Sequence, residues 1–152
     1  STSFVYSLQA IEEIASFIVQ FGKMHPDLYF VLQPYSVRDF SVENDLICNE
    51  KIKQYVLERA PHAKIVLLEG YQTFEDAKIW AKYAKLMLLA RHHALILTYE
   101  FDIPTIVLSY DIKVRGFAEC GGYNSIIEYE DITAQNLFEE VSKLSQIYGE
   151  FI

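Results

Sequence analysis

Residues 86–119 read LMLLARHHALILTYEFDIPTIVLSYDIKVRGFAE. Two short apolar runs, Leu86 to Ala90 and Thr105 to Ser109, stand about fifteen residues apart with a helix-length polar and apolar mixture between them. Continuous apolar runs of this length, rich in branched side chains, mark strands buried on both faces, which is how parallel sheets covered by helices are written. Pro104 introduces the second run and cannot donate to a sheet ladder, so it stands at the strand's start. The order strand, helix, strand therefore predicts a parallel βαβ unit.

The same alternation extends outward. Leu8, Ile11, Ile14, Ala15, Ile18 and Phe21 recur at helical spacing, with Gly22 as an expected stop. Tyr29 to Gln33 and Lys64 to Leu68 read as two further buried strands, separated by a helix from a Ser41 cap to about Arg59. Thr73-Phe74-Glu75-Asp76 has the pattern of a capping box opening a helix to about Lys85, with Phe74, Ala77, Trp80, Ala81 and Ala84 inward. A short helix is expected from about His93 to Glu100 and a helical turn from Arg115 to Cys120. Ser125 to Tyr129 is the fifth strand, and a Thr133 cap precedes a last helix from Ala134 to Tyr148. Right-handed crossovers then give the expected fold: α/β, a Rossmann-like three-layer α/β/α sandwich with a mostly parallel five-stranded sheet. No internal repeat or linker divides residues 1–152, which read as a single domain and, because the helical pattern begins near the first residue, as a fragment of a longer protein.

Composition narrows the function. With 51% apolar residues the 152-residue chain suits a packed core rather than disorder. Cys48 and Cys120 form no C-x-x-C pair, and no His, Cys or Asp cluster has metal spacing, so no metal is expected. No apolar run is long enough for a transmembrane segment. The net charge of −8 has the wrong sign for nucleic-acid binding. Within it, Lys78, Lys82, Lys85, Arg91, Lys113 and Arg115 outnumber Glu100, Asp102 and Asp111, a cationic window suited to a small anionic ligand.

Ligands of open parallel sheets bind beyond the carboxyl ends of the strands. Three of these ends are Gln33-Pro34-Tyr35-Ser36, Glu69-Gly70-Tyr71 and Arg91-His92-His93, and the fourth is Ser109-Tyr110-Asp111-Ile112-Lys113. Arg91 offers a planar fork for phosphate or carboxylate, His93 a proton near neutral pH, and the helix start free N–H groups. Lys113 adds a second cation and Tyr110 an aromatic plate with a hydroxyl, whereas Asp111 suits a turn cap. The chain has no G-x-G-x-x-G, no P-loop and no G-x-S-x-G elbow. His25 and His62 read as solvated loop residues, and Glu12-Glu13 and Glu139-Glu140 as solvated helix faces.

Residues 86–119 resemble the polysaccharide pyruvyl transferase family. The family's C-terminal half carries an apolar strand, R-x-H-[AS], an apolar helix, a G-[IV]-P-x-I-type strand and S-Y-D-x-K. Here these are Arg91-His92-His93-Ala94, Asp102-Ile103-Pro104-Thr105-Ile106 and Ser109-Tyr110-Asp111-Ile112-Lys113, with Asp102 in place of the usual glycine. FVLQPYS at residues 30–36 is a weaker match. The specific part covers about a quarter of the chain.

The resemblance implies the C-terminal half of a two-domain, GT-B-like enzyme whose N-terminal domain is absent here, so that the fragment alone is expected to be inactive. It implies transfer of pyruvate from phosphoenolpyruvate, the donor substrate, onto a polysaccharide or lipid-linked sugar acceptor as a ketal, with no cofactor. The enzyme would be cytoplasmic, at or near the inner face of the membrane. Arg91 and His93 would be catalytic, Arg91 as clamp and His93 delivering a proton to the donor or to the leaving phosphate. Arg91, His93, Ser109, Tyr110 and Lys113 would bind substrate, the N–H groups near Ser109 and Tyr110 helping Lys113 to neutralise phosphate. Two other readings stand beside it: a nucleotide-sugar-dependent GT-B glycosyltransferase domain, and a non-catalytic carbohydrate-assembly binding domain that kept the fold.

Overall fold

A computed structural model describes residues 7–34, 45–69, 73–90, 95–96, 99–109 and 112–151. The chain divides into two compact units, Ser1–Gln72 and Thr73–Ile152.

The first unit is built from helix α1 (Leu8–Met24), strand β1 (Phe30–Leu32), helix α2 (Asp45–Arg59) and strand β2 (Ile65–Leu67). Ser7 opens α1, its Oγ accepting a hydrogen bond from the Ala10 N–H at 3.1 Å. One face of α1, from Ala10 through Ile14 and Phe17 to Phe21, is buried, and α1 packs on α2. On α2 the buried positions are Cys48, Asn49, Ile52 and Val56, again at helical spacing. β1 and β2 pair in parallel, Val31 opposite Val66, so strand, helix and strand form a βαβ unit. Gly22 does not stop α1, which runs two residues further. A Cβ there would meet the Phe30 ring at 3.3 Å, so the glycine serves the close approach of β1.

The second unit contains α3 (Phe74–Tyr83), β3 (Met87–Leu89), β4 (Thr105–Ser109), α4 (Ile112–Cys120), β5 (Ile126–Glu128) and α5 (Ala134–Tyr148), with a single 3₁₀ turn at Tyr129–Asp131. Leu95 and Ile96 are also helical. Both sides of the Thr73 capping box are present, Thr73 Oγ1 accepting from the Asp76 N–H and Asp76 Oδ2 from the Thr73 N–H. β4 is the middle strand of a parallel sheet ordered β3-β4-β5 and is buried at every residue. α4 and α5 pack against it, and Val114, Ala118, Leu137 and Leu144 close the core.

The molecule is thus α/β with parallel strands, but the expected sheet of five is two sheets, of two and three strands. Apolar runs mark where strands lie, not which strands are neighbours. β4 alone is buried throughout, whereas Val66 of β2 is exposed.

Three local expectations are corrected as well. Trp80, placed inward by helical spacing, is 41% exposed with Ile79 and Tyr83 also outside, whereas Ala81, among the described residues of α3, is buried as expected. The turn expected at Arg115 to Cys120 is a nine-residue helix beginning at Ile112. Glu140, read as part of a solvated face, is buried at 8% exposure and accepts a hydrogen bond from Ser125 Oγ at 3.0 Å.

Candidate functional site at the carboxyl edge of the β3-β4-β5 sheet

The register aligns Leu89 with Val107 and Ser109 with Glu128. Because all three strands run the same way, the segments following Leu89, Ser109 and Glu128 leave from one edge. Ala90, buried, is the last described residue before Arg91. Arg91, His92, His93, Tyr110 and Asp111 lie outside the described residues.

Two of the candidate residues are described. Ser109 closes β4 and is 1% exposed, so its hydroxyl is enclosed. Lys113 is exposed on the first turn of α4, four residues after Ser109. That turn is unusual in charge. A helix start presents unpaired N–H groups and a positive dipole end, which acidic side chains normally offset. Here the first turn, Ile112 to Arg115, contains no acid and two cations.

The two cations differ in their partners. Arg115 is held between Glu119, Nε to Oε1 at 3.0 Å, and Glu128 at the end of β5. Lys113 makes no ion pair among the described residues. The edge thus combines the start of a helix, the positive end of its dipole, with a lysine open to solvent.

The cationic window of the sequence is more dispersed than its composition suggested. Lys78 on α3 is paired with Glu100 at 3.1 Å, and Lys85 precedes β3 and so lies at the opposite edge of the sheet. The spacing of Arg115 and Glu119 was readable as a helical i, i+4 pair. The contribution of Glu128 was not, since it comes from a strand thirteen residues on. Among the described residues no group of three or more His, Cys, Asp or Glu is placed to hold a metal ion, and no helix is long and apolar enough to cross a membrane.

A cavity of about 470 Å³ lies elsewhere, at the amino edge of the same sheet, and neither Ser109 nor Lys113 lines it. Sequence reasoning missed it because its wall is assembled from three separate segments. The run Tyr99-Glu100-Phe101-Asp102, dense in rings and carboxylates, was the available signal.

Comparison with protein-family models, with curated proteins and with solved structures returned no match. The fold class, α/β with parallel strands, therefore stands on the geometry above.

Proposed function

We propose that this chain is the donor-binding half of a pyruvyl transferase that moves pyruvate from phosphoenolpyruvate onto a sugar of a cell-surface polysaccharide. The motifs Arg91-His92-His93-Ala94 and Ser109-Tyr110-Asp111-Ile112-Lys113 motivate the reading. The observation that supports it best is the parallel pairing of β3 and β4. It brings the ends of the two strands that precede the motifs to one sheet edge, where Lys113 on the first turn of α4 is without an acidic partner among the described residues. The finer architecture belongs to the same proposal: a Rossmann-like half that works against an N-terminal domain across a cleft.

Phosphoenolpyruvate brings a phosphate and a carboxylate to this edge. Arg91 clamps one of them with two parallel N–H donors, and Lys113 with the N–H groups around Ser109 and Tyr110 takes the phosphate. Ketal formation adds a proton to the methylene carbon, making it methyl, while a sugar hydroxyl bonds to the adjacent carbon. A second hydroxyl then displaces phosphate and closes the ring. His93 serves as the proton donor, either to the methylene carbon or to the departing phosphate.

The test is Arg91→Ala and His93→Ala in the two-domain enzyme, measured as ketal formed on the acceptor polysaccharide. Each is expected to lower the rate on the order of 10²-fold or more. Wild-type rates from both variants would remove these roles.

A further inference from the structure

We propose that the cavity at the amino edge of the β3-β4-β5 sheet is a binding site for an organic monocation, an alkylammonium or quaternary ammonium group. It is independent of the phosphoenolpyruvate reading and lies at the other end of the strands. Its wall is formed by the 99–103 segment leading into β4, the Gly121–Asn124 turn leading into β5, and the last turn of α5. At about 470 Å³ it has the size of a small-molecule site.

The chemistry of the wall selects the ligand. Tyr99, Phe101, Tyr123 and Tyr148 supply four aromatic rings, Glu100 and Asp102 two carboxylates, and no Lys, Arg or His is part of the lining. Tyr99 and Tyr148 are 61% and 40% exposed, so ring surface remains for a guest. Rings attract cations through their negative faces, most effectively where water is partly excluded.

The charges fix the valence. Glu100 is already neutralised by Lys78 at 3.1 Å. Asp102 has no ion pair among the described residues; its Oδ1 accepts a hydrogen bond from the Tyr148 hydroxyl at 2.9 Å. Among the described residues Asp102 is thus the lining carboxylate without a cation. Burial, and then this hydrogen bond and the Asp102 charge, push the Tyr148 phenol above its ordinary pKa, so it stays the protonated donor to Asp102. Tyr123 is pinned to the Leu95 carbonyl at 3.3 Å, which fixes one ring of the wall in place. A neutral sugar would use the same rings without drawing on the Asp102 charge.

The experiment is a titration of the ¹⁵N-labelled chain with choline, followed by amide NMR, beside 3,3-dimethylbutan-1-ol, which has the same shape without the charge. Choline is expected to shift the amides of Gly121, Gly122 and Asn124 saturably, and the neutral alcohol to leave them in place. Asp102→Asn, at an exposed position, is expected to weaken choline about tenfold, the loss of one cation–carboxylate contact near the surface. Tyr99→Leu, also exposed, is expected to weaken it with the carboxylate retained. Equal response to both probes, no response to either, or unchanged affinity in both variants would overturn the proposal. So would saturable binding of glucose at these amides without binding of choline.

Discussion

Glu140 carries a charge into the core of the second unit, where Ser125 Oγ lies 3.0 Å from one carboxylate oxygen and Lys143 Nζ 2.8 Å from the other. A buried carboxylate is tolerated only when such partners replace water. Ser125→Ala removes one of them and is expected to lower the unfolding free energy by about 1 kcal/mol, read from denaturant midpoints. The Glu140 hydrogen bond and charge raise the Lys143 pKa above its ordinary value. A pKa raised on folding adds stability below the unfolded value and loses it as pH climbs through the folded one. The stability difference between wild type and Lys143→Gln is therefore expected to be constant near neutrality and to shrink above about pH 10.5, in midpoints measured across that range. The doublet Glu139-Glu140 looked alike in sequence; only the position of β5 relative to α5 separates an exposed acid from a buried one.

At the level of elements, two glycines six residues apart, Gly116 and Gly122, should respond in opposite directions. Gly116 lies within α4, and an added Cβ there would meet nothing within 4 Å. Gly116→Ala is expected to stabilise by about 0.5–1 kcal/mol, because alanine restricts the unfolded chain and favours helix. Gly122 is equally open but has φ +79°, the left-handed region. Gly122→Ala is expected to destabilise by about 1–2 kcal/mol from backbone strain alone. Thermal unfolding of the two variants reads both signs at once, and the same sign from both would contradict the α4 boundary. This end of the helix was less legible in sequence than the rest, since two cations opening a helix run against the usual dipole preference. Where cap and periodicity agree, as at Thr73 and Thr133, the helix starts fall where expected. Trp80 shows the limit of periodicity: it places a residue on a helix face, and the face that is covered depends on what packs there.

Across the whole molecule, the five strands were legible because each is a run of apolar residues closed by a turn residue, and their pairing was not. Strand neighbours are chosen by crossovers and by packing, and these gave two parallel sheets in two compact units. Within the second unit the two edges of the sheet differ in character. The carboxyl edge has a helix start with Lys113, and the amino edge has rings with Asp102. Among the described residues of the carboxyl edge, Arg115 is matched by Glu119 and Glu128, and Glu130 and Asp131 follow β5, so Lys113 and the α4 dipole are local features in an otherwise acidic setting.

The most direct test of that edge is a titration of the chain with phosphoenolpyruvate, followed by amide shifts. The proposed function predicts saturable binding with the largest shifts at Ala90 and at Ile112 to Val114, and about tenfold weaker binding in Lys113→Ala. Absence of binding, shifts centred on the amino edge, or binding of a nucleotide sugar in its place would contradict it.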